Sequence, residues 1–223
     1  PAFQVGGDYY DLLWIDPHKL AVVVGDVSGK AISGALFMAR VTSEIRAVAA
    51  IETAPRRVLQ RVNRALSEVA EDGMFTTMVY CSLHLTQNIV RFANAAHTTL
   101  LLRRGAEVVT LDHPEARSMP LGIEPKLEVG EAQLQLLPGD TLLLYTDGLI
   151  EARSVSGELY GQDRLAASFG MAPTGAQPAR LALDAILGDL DRFVGDAPQS
   201  DDQTVVCIAV TDLSNDATSA SAR

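Results

Sequence analysis

The sequence predicts an α+β domain: two packed antiparallel β-sheets flanked by helices, a four-layer αββα sandwich. Three observations lead there. Two helical stretches come early, then a run of strands, then two more helices, where a parallel α/β sheet would alternate strand and helix. Tight turns such as TQN, RRG and PGD separate several strands, which makes the pairing largely antiparallel. TLLLYT and VVCIAV are apolar without interruption, so those strands need cover on both faces.

The first strands are YYDLLWI (9–15) and LAVVVGDV (20–27), joined by the turn DPHK. A helix follows over roughly 31–50. A second runs from about Pro55 to Val69, with Val58, Leu59, Val62, Leu66 and Val69 on one face and proline at its start, where a missing N–H costs nothing. The strand run is 76–85, 89–96, 99–104, 106–111, 127–136 and 140–146. Helices near 161–170 and 178–194 precede a last strand, 204–210. The later helix carries Leu183, Ile186, Leu187, Leu190, Phe193 and Val194 as its apolar stripe.

The chain has 223 residues, of which 48% are apolar, enough for one domain with a real core. Its formal charge of −10 argues against a nucleic-acid partner, which wants a basic face. No apolar run reaches the ~20 residues of a membrane span, and no signal peptide is visible, so a cytoplasmic location is expected. Cys81 and Cys207 lie in apolar runs and read as small core residues. The abrupt entry into a strand suggests a chain cut from something longer. Residues 1–212 read as one domain and 213–223, small and polar, as a disordered tail.

VVVGDVSGKAISG has the look of a phosphate-binding loop, but counting excludes it. That loop needs four residues between its glycines and a hydroxyl after its lysine. Gly25 and Gly29 enclose three, and Ala31 follows Lys30. Lys30 then reads as a solvated turn lysine, with contact to a substrate phosphate as the minor reading. Asp26 remains, at a strand end. Asp8 precedes the first strand, Asp147 follows LLLYT, and Asp201 and Asp202 precede TVVCIAV. Carboxylates at buried strand ends are expensive unless neutralised. Without His or Cys among them, they suit a hard cation such as magnesium or manganese. Each also reads singly as a turn or cap residue, and strand ends can fall at either end of a sandwich. His97, in NAAHTT, reads first as a structural histidine. His18, His84 and His113 have no metal-ligand spacing, and Ser28 lacks a nucleophile elbow.

VGGDYYD, VGDVSGKAISGALFMA, FTTMVYCSL, AAHTTLLLR, MPLGI, GDTLLLYTDGLIEAR, LYGQDRL and DDQTVVCIAV occur in this order. Together they resemble the SpoIIE/RsbU-type branch of the PPM (PP2C-like) metal-dependent protein phosphatases, over roughly residues 1–212. The resemblance implies a PP2C-like sandwich with two Mn²⁺ or Mg²⁺ ions at one end. It also implies hydrolysis of protein phosphoserine or phosphothreonine by a metal-activated water. The implied ligands are Asp8, Asp26, the Val27 carbonyl, Asp147 and Asp201, the last chosen over Asp202 by position in the motif. The implied substrate is a STAS-type anti-sigma factor antagonist, and an N-terminal sensor or receiver domain is implied in the full-length protein. A homodimer is left open. Gly29-Lys30-Ala31 stands where the family has Gly-Lys-Gly, and Ala95-Ala96-His97-Thr98-Thr99 where it has Ala-Gly-His-Pro/Asn-Pro; neither change removes a ligand. The competing readings are a phosphatase-like binding module with weak catalysis and a metal-dependent nuclease or other phosphoesterase.

Overall fold

A computed structural model describes residues 6–29, 31–70 and 73–211. Lys30 and the expected tail 213–223 lie outside the described residues. The chain order is β1 (Asp8–Asp16), β2 (Lys19–Val27), α1 (Ala31–Ala49), α2 (Pro55–Ser67), β3 (Thr76–His84), β4 (Ile89–Ala95), β5 (Leu100–Arg104) and β6 (Glu107–Leu111). A 3₁₀ turn (Pro114–Ala116) and β7 (Arg117–Ser118) follow, then β8 (Ala132–Gln135), β9 (Thr141–Tyr145), α3 (Asp147–Ile150), α4 (Gln162–Gly170), α5 (Pro178–Val194) and β10 (Val205–Ala209).

Two sheets form. One runs β1-β2-β3-β4-β7, with β8 also on β4; the other runs β10-β9-β5-β6. All pairings are antiparallel except the two-residue β4–β7 contact. The continuous apolar runs explain the layering. In β2, Ala21 and Val23 face α1 and α2, while Val22 and Val24 face the other sheet, and all four are buried. In β9, Leu142 and Leu144 meet that inter-sheet core, while Leu143 and Tyr145 pack under α4 and α5. At about 1.5–3 kcal/mol per fully buried aliphatic side chain, strands covered on both faces hold the four layers together.

Some expected elements differ. The strand expected over 127–136 shrinks to Ala132–Gln135. Leu127 and Val129 pack into the helix-side core, whereas Ala132, Leu134 and Leu136 pack between the sheets. The chain changes face at Gly130, where an added Cβ would lie 1.6 Å from the Glu115 carbonyl oxygen. Helix α2 stops at Ser67, which leaves Val69 exposed, and Leu187 on α5 is also exposed. On β1, Tyr10, Leu12 and Trp14 stand exposed. They lie opposite Val24, Val22 and Leu20 of β2, on the edge strand of the larger sheet.

Candidate functional site

The ladder between β1 and β2 sets Asp8 directly opposite Asp26. Both continue the row of residues that faces the second sheet, the row of Val22 and Val24. Two carboxylates directly opposite on one face repel each other, and a sheet tolerates them only at a cost. The second sheet adds more acid at the same end. Strand β9 ends at Tyr145 and the chain turns through Thr146 into α3, whose first residue is Asp147. Asp201 and Asp202 lie just before β10, which pairs with β9.

Hydrogen bonds fix these segments together. The buried Thr146 hydroxyl donates to Asp8 Oδ2 at 2.7 Å and accepts the Thr204 N–H at 2.9 Å. One hydroxyl thus joins β1 of the first sheet to β9 and β10 of the second. Asp202 Oδ2 accepts the Gly7 N–H at 2.6 Å, and the Asp202 N–H donates to Asp201 Oδ1 at 2.8 Å. The Val27 N–H donates to the Gly7 carbonyl at 2.9 Å.

Two glycines permit this approach. A Cβ on Gly7 would lie 2.7 Å from Asp26 Oδ1 and 3.2 Å from the Val27 carbonyl oxygen. A Cβ on Gly148 would lie 1.9 Å from the Asp202 carbonyl oxygen. No side chain fits at either place without moving a carboxylate or the backbone that carries it.

The electrostatics follow from burial and like charge. The Asp26 carboxyl is pushed up to about 6, first by burial and then by Asp147, Asp8 and Asp201. Asp8 is raised mainly by burial; hydrogen bonds from Thr146 and Thr204 oppose the shift, and Asp202 and Asp147 add to it. Asp8, Asp26, Asp147 and Asp201 are thus in electrostatic contact at one end of the sandwich. Among the described residues no three His, Cys, Asp or Glu side chains converge to hold a single ion directly. The donors are all oxygens, the kind that hard divalent cations take. Positive charge there would relieve the repulsion that raises Asp8 and Asp26.

The motif reading passed over Asp202, Thr146 and Thr204. Asp201 is exposed, whereas Asp202 is 6% exposed and bonded to the Gly7 backbone. The doublet DDQT signals an acidic pair without saying which member turns inward. Thr146 had a signal in its place between a buried strand and Asp147, but its partner lies 138 residues away.

His97 sits beside the site without joining the acidic cluster. Its Nδ1 bonds the Thr77 hydroxyl at 2.9 Å, and Thr77 lies opposite Asp26 on β3. Burial pushes the imidazole down to about 4, so it is neutral at pH 7. Asn94 fixes the loop: Oδ1 accepts the His97 N–H at 2.7 Å, and Nδ2 donates to the carbonyls of His97 and Thr98. The Thr98 hydroxyl donates to the Tyr145 carbonyl. Ala96 has a φ of 52°, left-handed backbone that favours glycine. Cys81 and Cys207 are free thiols in packed strands, both raised by burial.

The family model described as stage II sporulation protein E (SpoIIE) matches residues 16–211. The chain belongs to the SpoIIE family. Among curated relatives, it is 28% identical to "Phosphoserine phosphatase RsbU" of Bacillus subtilis strain 168 over 163 residues, 73% of this chain and 48% of RsbU. The chain spans about half or less of the length of the curated relatives it matches. A crystal structure of the RsbU and RsbW domains of Rv1364c from Mycobacterium tuberculosis superimposes with a TM-score of 0.79 at 27% identity, covering 94% of this SpoIIE-family chain and 59% of that one. The PP2C phosphatase domain of SpoIIE from Bacillus subtilis, with a fragment of its regulatory domain, gives 0.79 at 19% identity, covering 94% and 58%. The SpoIIE-family chain therefore has the PP2C-like sandwich fold. Among the described residues no helix is long and apolar enough to cross a membrane.

Proposed function

We propose that residues 1–212 form a divalent-metal-dependent protein serine/threonine phosphatase domain. The observation that carries this reading is Asp8 set opposite Asp26 in register, with Asp147 acting on both and Asp201 on Asp26. The donor set suits magnesium or manganese, and we assign two ions by resemblance to the PPM family. Asp8, Asp26, the Val27 carbonyl, Asp147 and Asp201 would hold them. The inward-facing Asp202 braces the Gly7 backbone behind Asp8. Bound divalent ions supply an activated water and neutralise charge on the phosphate.

The chain's own residues do the rest. Thr146 holds the Asp8 carboxylate in orientation, and the Gly7 backbone lets β1 lie against Asp26. Cys81 is buried and Cys207 partly buried in strand packing, both are raised in pKa, and both lie outside the site, so neither is placed as a nucleophile. The substrate we propose is phosphoserine or phosphothreonine on a STAS-type antagonist, in line with the SpoIIE/RsbU resemblance. A preceding sensor or receiver domain in the full-length protein belongs to the same proposal.

The test is phosphate release with manganese from a phosphoserine protein, a phosphotyrosine peptide and a nucleotide. The reading expects kcat/KM highest on the phosphoserine protein, and activity lost on chelation and in Asp26→Asn. Wild-type turnover by Asp26→Asn, or a preference for phosphotyrosine or nucleotide, would overturn it.

A further inference from the structure

The chain is acidic overall, yet one of its surfaces is basic. Helix α2 packs Val58, Leu59, Val62 and Leu66 inward and leaves Arg57, Arg61 and Arg64 exposed at helical spacing on its outer face. From Arg57 to Arg64 the helix rises ~10 Å. Beside this stripe lies the segment 125–128, and between them a groove of about 570 Å³ is lined by Arg57, Arg61, Arg64, Lys126, Leu127 and Glu128, among others. Arg56, also exposed, adds a fifth cation at the helix start. Five of the chain's 18 lysines and arginines are thus gathered here.

These cations are uncommitted. Among the described residues, the ion pairs engage Lys19, Arg40, Arg46, Arg104, Arg117, Arg164, Arg180 and Arg192, and none engages Arg56, Arg57, Arg61, Arg64 or Lys126. The groove is also fixed in shape. Asn63, buried on α2, donates from Nδ2 to the Glu124 carbonyl at 2.7 Å and accepts the Gly122 N–H on Oδ1 at 2.9 Å. That side chain ties the facing segment to the helix. Among the described residues Glu128 is the one carboxylate in the lining, and beside it Glu131 Oε2 accepts the Arg56 backbone N–H at 3.2 Å.

We propose that this groove docks an acidic segment of a partner protein. Charge complementarity argues for it: unpaired guanidinium groups bind carboxylates in bidentate geometry, and on a molecule of charge −10 they mark where an acidic partner can approach. The stripe's length matches roughly three extended residues. Pro125 and Leu127 offer apolar contact between the charges. Nucleic acid fits less well. Among the described residues no aromatic side chain lines the groove for base stacking, and the acidic remainder of the surface repels a long polyanion. The proposal is independent of the phosphatase reading, because none of these residues belongs to the acidic site.

The test is anisotropy of a labelled peptide of alternating Glu and Ser, titrated with the whole chain at low and moderate salt. Binding is expected at low salt and weakens as salt rises. Arg57→Gln/Arg61→Gln/Arg64→Gln should bind at least about tenfold more weakly, and the charge-reversed triple variant should not bind. Arg180→Gln/Arg192→Gln, on α5, should bind like wild type. Unchanged melting of the glutamine triple variant establishes that its fold is intact. No binding by the wild-type chain, equal binding by the glutamine triple variant, or tighter binding of an oligothymidine at the same salt would each overturn the proposal.

Discussion

Replacing Thr146 by valine keeps the shape of a fully buried side chain and removes one oxygen. That oxygen donates to Asp8 Oδ2 at 2.7 Å and accepts the Thr204 N–H at 2.9 Å. A hydrogen bond to a charged group is worth about 1.5–3 kcal/mol, and an unpartnered buried N–H costs about 1–3 kcal/mol more. The added methyl returns part of this, so the net loss should be about 3 kcal/mol. For a domain of this size that lowers Tm by roughly 6–12 °C. Urea unfolding should show the loss as a lower midpoint at unchanged slope. Thr146→Ser keeps the oxygen and should recover most of the stability. Manganese affinity should fall in the valine variant and recover in the serine variant, because a merely structural loss would not loosen Asp8 selectively. A Thr146→Val midpoint within experimental error of wild type would refute the idea that this hydroxyl joins the two sheets at the site.

Three further outcomes follow from the same end of the sandwich. Asp26 titrates near 6 when folded against 3.8 as a free carboxyl, so the native state binds more protons between those values. The chelated protein should therefore gain stability from pH 7 to pH 5, by up to about 1 kcal/mol after discount for partial exposure. Urea midpoints would check this, and Asp26→Asn should flatten the trend. Gly148→Ala forces a Cβ to 1.9 Å from the Asp202 carbonyl oxygen; a loss of about 3 kcal/mol by urea unfolding is expected, and a neutral result would contradict the packing. Ala96→Gly should stabilise by about 0.5–1 kcal/mol, since left-handed backbone costs an alanine more than glycine loses in chain entropy; a lower Tm would count against the loop geometry.

Much of this was legible in the sequence because the strongest signals are local. The runs AVVV and TLLLY demand burial on both faces, and the structure covers both. The placement of Asp8, Asp26, Asp147 and Asp201 was legible only in part. Each marks a strand end, but their meeting depends on antiparallel pairing within two sheets and on how those sheets stack. The shortening of β8 had a signal: the apolar alternation at 127 and 129 resumes at 132, 134 and 136, out of phase by one residue at Gly130–Glu131. The two-residue β7 and four-residue α3 carry too little periodicity to be read. The inward turn of Asp202 depends on the Gly7 N–H, 195 residues away, which no local pattern encodes.

Carboxylates from both sheets should make one site for divalent cations. The most direct test is a titration of chelator-treated protein with Mn²⁺, read by the paramagnetic resonance of the free ion. Saturable uptake of two ions by the wild-type chain is expected, with the loss of at least one in Asp26→Asn and the fold retained by circular dichroism. Uptake that is absent, or unchanged by the substitution, would contradict the shared site.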